Sequence, residues 1–248
     1  MNKEQRAVTD SYSAGVYWGP RQESSEDCAR RLAVLITALA TVDPSFARWF
    51  QQGKSRKDAL KRSIGPASAE LESFVRQGRD RTFADLGFSL GGWNGAADEY
   101  EVSGFLIACG GYSEWVNNHC VFTLPSRGPS SERVLTAPVL TRLVRETAAA
   151  WEPDWGVAIS EQHRDLMKPH RAKGAPYVGW VTYLARHRGR VPLLPAPVRV
   201  ENVEDKGTLI ILTPERFTVS NPEHVALAER VRELLDRAGL LRPLQPQK

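Results

Sequence analysis

The stretch VYWGPRQESSEDCARRLAVLITAL, residues 16–39, holds a strand end, a turn and a capped helix in direct succession. Val16, Tyr17 and Trp18 read as the end of a strand, and Gly19 with Pro20 as the turn that leaves it. Ser24 followed three residues later by Asp27 is the pattern of a reciprocal helix cap, in which each residue satisfies a free backbone N–H of the other. Cys28, Leu32, Leu35, Ile36 and Leu39 then recur at helical spacing, while Glu26, Arg30 and Thr37 fall on other faces. That pattern predicts an amphipathic helix laid on a sheet.

Working outward, Asp43 and Pro44 break the helix, and the alternation in PSFARWFQQG predicts a short strand over residues 46–50. Ser55 with Asp58 repeats the capping logic for a short helix, and Pro66 opens another that ends at Gly78. Strands are expected at Phe88–Trp93, in EVSGFLIACGG and in NHCVFTLP, with Gly, Asn and Asp turns between them, as in an antiparallel meander. A helix over 135–149 and the strand WGVAIS follow. After a basic loop come the strand PYVGWVTYL, a proline-rich bridge and a hairpin turning at 204–207. The last helix is capped by Asn221 and Pro222, carries a stripe of Leu227, Val231, Leu234 and Ala238, and stops at Gly239. Helices interspersed with runs of strands, without βαβ alternation, predict a single α+β domain whose mostly antiparallel sheet is covered by several helices. The domain is expected over 16–240, between an N-terminal arm (1–15) and a flexible tail (241–248).

Two segments carry a resemblance. Tyr17, Trp18, Gly19, Arg21, Glu23 and Ser24, followed by Phe46, Trp49, Phe50, Gly53 and the helix start at 55–60, resemble the immunity protein 52 family of polymorphic-toxin and type VI secretion systems. WGVAIS and GWVTYL fit the same pattern more loosely. The resemblance implies an α+β protein of bacterial competition that binds and neutralises a cognate toxin, typically one with a restriction-endonuclease-like domain. It implies no chemistry of the chain's own, and a mainly structural role for the matching residues.

Composition agrees with a globular chain: 248 residues, 42% hydrophobic and 25% charged, are enough for a substantial core. No apolar run reaches membrane-spanning length and the first residues lack a secretory apolar stretch, so a cytoplasmic location is expected. Three cysteines without CxxC spacing and five histidines without ligand spacing predict neither a disulfide framework nor a metal site. No Walker loop, dinucleotide fingerprint or GxSxG elbow is present, and no cofactor is expected.

The net charge of +4 is unevenly spread. Positive charge gathers in 48–81 and 164–190, whereas 82–126 contains no lysine or arginine but holds Asp85, Asp98, Glu99, Glu101 and Glu114. Those acids, with the aromatic Tyr100, Tyr112 and Trp115 in turn-like surroundings, form the expected toxin-binding set: Asp98, Glu99, Tyr100, Glu101, Tyr112, Glu114 and Trp115. Of the seven tryptophans, Trp115 is the candidate for exposure, and Trp18 and Trp180 for the core. The basic runs keep a nucleic-acid-binding module open as the alternative, although solvated helix faces explain them as well. Asp154, Glu161 and His163 echo the carboxylate pattern of metal-dependent nucleases, but lack its lysine and sit at short spacing. His163 with Asp165, as strand residues sharing a face, and His119 beside Cys120 are further pairs without a third orienting group.

Overall fold

The computed structural model describes residues 10–244. In chain order the elements are β1 (Tyr12–Trp18), α1 (Ser25–Leu39), β2 (Trp49–Phe50), α2 (Arg56–Ala59), β3 (Ser63–Ile64), α3 (Ser68–Gln77), β4 (Phe88–Trp93), β5 (Gly104–Cys109), β6 (Asn118–Thr123), α4 (Gly128–Val134) and α5 (Ala137–Trp151). They continue with β7 (Trp155–Ser160), α6 (Glu161–Met167), β8 (Val181–Ala185), β9 (Arg199–Val203), β10 (Gly207–Ile211) and α7 (Pro222–Arg237). All ten strands join one antiparallel sheet in the order β3-β2-β4-β5-β6-β1-β7-β8-β10-β9. This is the single α+β domain the sequence predicts.

The opening motif folds as its residues require. Ser24 Oγ accepts from Asp27 N and the Asp27 carboxylate accepts from Ser24 N, completing the reciprocal cap of α1. Cys28, Leu32, Leu35 and Leu39 are buried, and α1 packs against both α3 and α5 on one face of the sheet. The row Leu90, Ile107, Cys120 and Val16 runs across four strands beneath these helices, each residue buried. Trp18 stacks on Trp151 of α5 at 5.3 Å, and Phe46, Trp49, Phe105 and Phe122 form an aromatic cluster farther along the same layer.

Several expectations need correction. Phe46 lies in a 3-10 turn (Pro44–Phe46) and not in a strand, because Asp43 accepts from Ser45 N and proline occupies the first turn; only Trp49–Phe50 pair. The expected basic loop after WGVAIS is helical over Glu161–Met167, since Ser160 at the strand end caps it by accepting from His163 N. α4 was not foreseen, and α5 starts and ends two residues later than expected. β8 is shorter than PYVGWVTYL. On α7 the buried stripe is Ala228, Val231 and Leu235, with Leu227 and Leu234 half-buried and Ala238 exposed. β1 begins at Tyr12, inside the expected arm, and Leu241 is buried inside the expected tail. Residues 1–9 of that arm and 245–248 of that tail lie outside the described residues.

The sheet is covered unequally. Every residue of β7 and β8 is buried. α5 lies on one face of β7, and Gly179 sits against Val157 and Ile159 on the other. The β4-β5-β6 portion is packed on the helical face alone, whereas the outer side of β1 is partly covered: Gly15 is buried, Tyr17 stacks on Trp155 at 4.3 Å, and Ser13 Oγ donates to Glu161 of α6 at 3.0 Å.

Candidate functional site

Part of the family motif, Trp18, Gly19, Arg21 and Glu23, converges on the C-terminal end of α5, whereas Phe46, Trp49, Phe50 and Gly53 lie around β2 and α2. The last carbonyls of a helix lack intrahelical donors and carry its negative end, so they attract cations. Lys206 Nζ donates to the Ala149 carbonyl (3.0 Å), Arg31 to Ala150 (2.9 Å), and Arg21 to Trp151 (2.7 Å) and Glu152 (3.2 Å). Glu23 bridges Arg21 (3.1 Å) and Arg31 (2.7 Å), and Glu152 pairs with Arg31 (3.2 Å) and Lys206 (3.4 Å). Burial works against the Arg31 charge, but Glu23 and Glu152 outweigh it and hold the guanidinium above its ordinary pKa. Arg21 also lies over the Trp18 ring at 5.1 Å. Gly19 N donates to Asp154 Oδ2 (2.9 Å), while buried Asn118 donates to both the Gly19 and Gly111 carbonyls (2.8 Å each). Gly53 packs against the end of α2, where a Cβ would meet Ala59 N at 2.6 Å. The first motif segment, with Arg31, Glu152 and Lys206, is thus a joint that ties β1, α1, α5 and the β9–β10 turn together.

The enzyme-like groups are not brought together. Asp154 precedes β7 and Glu161 follows it, at opposite ends of a six-residue strand about 20 Å long. Asp154 instead meets His187 Nε2 at 2.6 Å, a pair with no counterpart in the sequence reading. His163 sits on helix α6, not a strand, buried against the Phe217 ring at 4.6 Å, and burial holds its pKa at about 4. Asp165 is exposed beside Arg164. His119 and Cys120 are adjacent on a strand and therefore point to opposite faces, Cys120 into the core. Among the described residues, no group of three or more His, Cys, Asp or Glu is placed to hold a metal ion.

The expected toxin-binding residues split into two groups. Asp98, Glu99, Tyr100 and Glu101 form the connection from β4 to β5, where Asp98 accepts from Tyr100 N (2.9 Å) and Arg127 lies over the Tyr100 ring at 4.6 Å. Tyr112, Glu114 and Trp115 belong to the loop from β5 to β6, at the other end of β5 and about 20 Å away. Trp115 is 68% exposed, and Val116 beside it 50%. The basic runs separate as well. Residues 54–62 flank β2 and β3, and 168–190 flank β8, with five strands between β2 and β8.

Between the two loops lies a surface that sequence reasoning missed. The outward positions of β4, β5, β6 and β1 form three rows: Ser89, Ala108, His119, Tyr17; Gly91, Leu106, Val121, Gly15; and Trp93, Gly104, Thr123, Ser13. None of these residues is aspartate, glutamate, lysine or arginine, and burial lowers the pKa of His119, keeping it neutral at pH 7. Leu106, near the centre, is 48% exposed. The signal was present in the sequence, since 86–97, 102–113 and 115–126 lack acids as well as bases.

No helix among the described residues is long and apolar enough to cross a membrane. The family model for immunity protein 52 matches residues 10–244. Among solved structures, the chain is similar to a Pseudomonas aeruginosa T6SS protein, PA0821, with 12% sequence identity and a TM-score of 0.52, over 91% of this chain and 76% of that one. At that identity the likeness is one of fold. No curated protein matches the chain.

Proposed function

The chain belongs to the immunity protein 52 family, and from that premise we propose that it binds one cognate toxin, encoded by the adjacent gene, and neutralises it by sequestration rather than by chemistry. The observation that carries this reading is the family match over 10–244, which takes in the whole described fold. A type VI secretion setting follows by extension from the T6SS protein of like fold. We assign the toxin to the nucleases, because acids at both ends of β5 suit a partner that must present cations to nucleic acid. A reducing, cytoplasmic compartment suits three buried, unpaired cysteines. The split of the basic runs across the sheet favours a protein partner over nucleic acid.

Co-expression tests the reading. Production of this chain together with the toxin domain of the neighbouring gene is expected to restore growth, and the two proteins to co-purify with nanomolar or tighter affinity. Persistent toxicity despite soluble expression of the chain would refute it.

A further inference from the structure

We infer that the open face of β4, β5 and β6 is where the toxin docks, and that the toxin meets it with an uncharged, largely apolar centre flanked by cations. The inference rests on the toxin-binding reading above and assigns it a surface.

The charge pattern comes first. A solvated antiparallel face is ordinarily the polar side of an alternating sheet, and charged residues there keep it from pairing with other proteins. Here three rows across four strands carry no formal charge, and the central row is Gly91, Leu106, Val121 and Gly15. The glycines give a second argument. Glycine inside a strand costs roughly 0.5–1 kcal/mol relative to alanine and is retained where something requires it. Gly15 has an internal reason, since a Cβ would meet Val121 Cγ1 at 2.7 Å. Gly91 has none: its φ is not positive, and a Cβ would meet nothing nearer than 3.8 Å. What glycine does at 91 is keep the outer surface flat.

The ends of the face identify the partner's chemistry. Asp98 and Glu99 stand at one end and Glu114 at the other, and no lysine or arginine occurs from 82 to 126; Arg81 and Arg127 bound that interval, Arg127 lying over Tyr100. The outward residues of β4, β5 and β6 offer a nucleic acid no cation, and on the β1 side Arg164 is already paired with Glu161 beside Ser13. A second copy is also disfavoured, because either two-fold arrangement of this face on itself sets acid against acid at the strand ends. Three strands by six residues span roughly 300 Å², and the loops at both ends extend that toward the about 800 Å² per partner of a stable complex.

Affinity for a catalytically silenced toxin domain from the adjacent gene is measured for the wild-type chain and for Leu106→Lys, Gly91→Arg and the control Val200→Lys on the outer strand β9. Both face variants are expected to weaken binding at least about 30-fold, with the melting temperature held within about 3 °C, and the control to bind as wild type. Should either face variant fold poorly, the other carries the test. Wild-type affinity in a folded face variant overturns the face and leaves toxin binding standing, whereas a wild-type chain that does not bind overturns both. A wild-type dimer in light scattering that excludes the toxin and is broken by Leu106→Lys would give the face to a second copy and likewise refute the assignment.

Discussion

The two halves of the sheet obey different rules. In β7 and β8 the sequence loses its alternation: WGVAIS and VTYLA are apolar or small throughout, and every residue is buried. In β4, β5 and β6 alternation persists, with Leu90, Ile107 and Cys120 inward and their neighbours outward, but the outward residues are glycine, alanine, serine, threonine, leucine, valine, histidine and tryptophan instead of formal charges. The closed half is selected for cohesion. The open half is built to a lower standard of solvation than a free surface needs, and a surface completed by a partner accounts for that.

The largest contrast is expected in stability. Trp180 is fully buried beside β8 and donates its indole N–H to the Thr213 carbonyl at 2.8 Å. Trp180→Ala therefore removes both a large apolar volume and a satisfied donor, and is expected to cost about 3–5 kcal/mol in urea unfolding. Leu106→Ala on the open face, where half the side chain already meets water, is expected to cost below about 1 kcal/mol. Equal losses would dissolve the distinction between the halves.

Acid sharpens it next. His163 is buried neutral beneath Phe217, with its pKa lowered to about 4 by burial, against which the nearby Glu229 carboxylate acts weakly. A lowered histidine pKa means that the unfolded chain takes up the proton first. Stability is therefore complete above the ordinary value near 6.5 and is lost as the pH falls from there to about 4. The loss amounts to about 3 kcal/mol over that window. His163→Leu is expected to flatten this part of the stability profile, as measured by urea unfolding at pH 7 and 4.5. An unchanged slope would mean that the acid response arises elsewhere.

Local signals were legible in the sequence and long-range ones were not. The Ser24–Asp27 cap, the strands at 88–93 and 155–160, the C-terminal hairpin and both ends of α7 follow from neighbours within four residues. The face of α7 was misread by one position because leucines flank the stripe on both sides, so that Leu227 and Leu234 compete with Ala228 and Leu235 for the core. α6 was hidden by the charges of EQHRDLMKPHR, although the Ser160 cap announces it. Only part of the joint at the end of α5 was legible: Trp18, Gly19, Arg21 and Glu23 stood out in the sequence, and Arg31, Glu152 and Lys206 did not. Arg31 and the Ala150 carbonyl are 119 residues apart, and nothing local says that they meet. The open face stayed invisible for a similar reason: its lack of charge becomes a pattern once the register aligns Gly91, Leu106, Val121 and Gly15.

The smallest expected effect concerns the acids at the edge of the open half. Reversing both Asp98 and Glu99 would confound two roles, because Asp98 caps a 3-10 turn by accepting from Tyr100 N, and losing a cap costs about 1 kcal/mol. Asparagine preserves that acceptor while removing the charge. Asp98→Asn with Glu99→Lys therefore isolates electrostatics, and its melting temperature is expected to stay within about 3 °C of wild type. If these acids steer a cationic toxin toward the face, the double variant associates several-fold more slowly at low salt, and the difference shrinks as ionic strength shortens the reach of the charges to a few ångströms. Dissociation should change little, because rim charges govern encounter more than residence. The effect should also be smaller than that of Leu106→Lys, which acts at the centre. Association rates equal to wild type at low salt would detach these acids from the encounter and leave the uncharged strands alone to define the partner's approach.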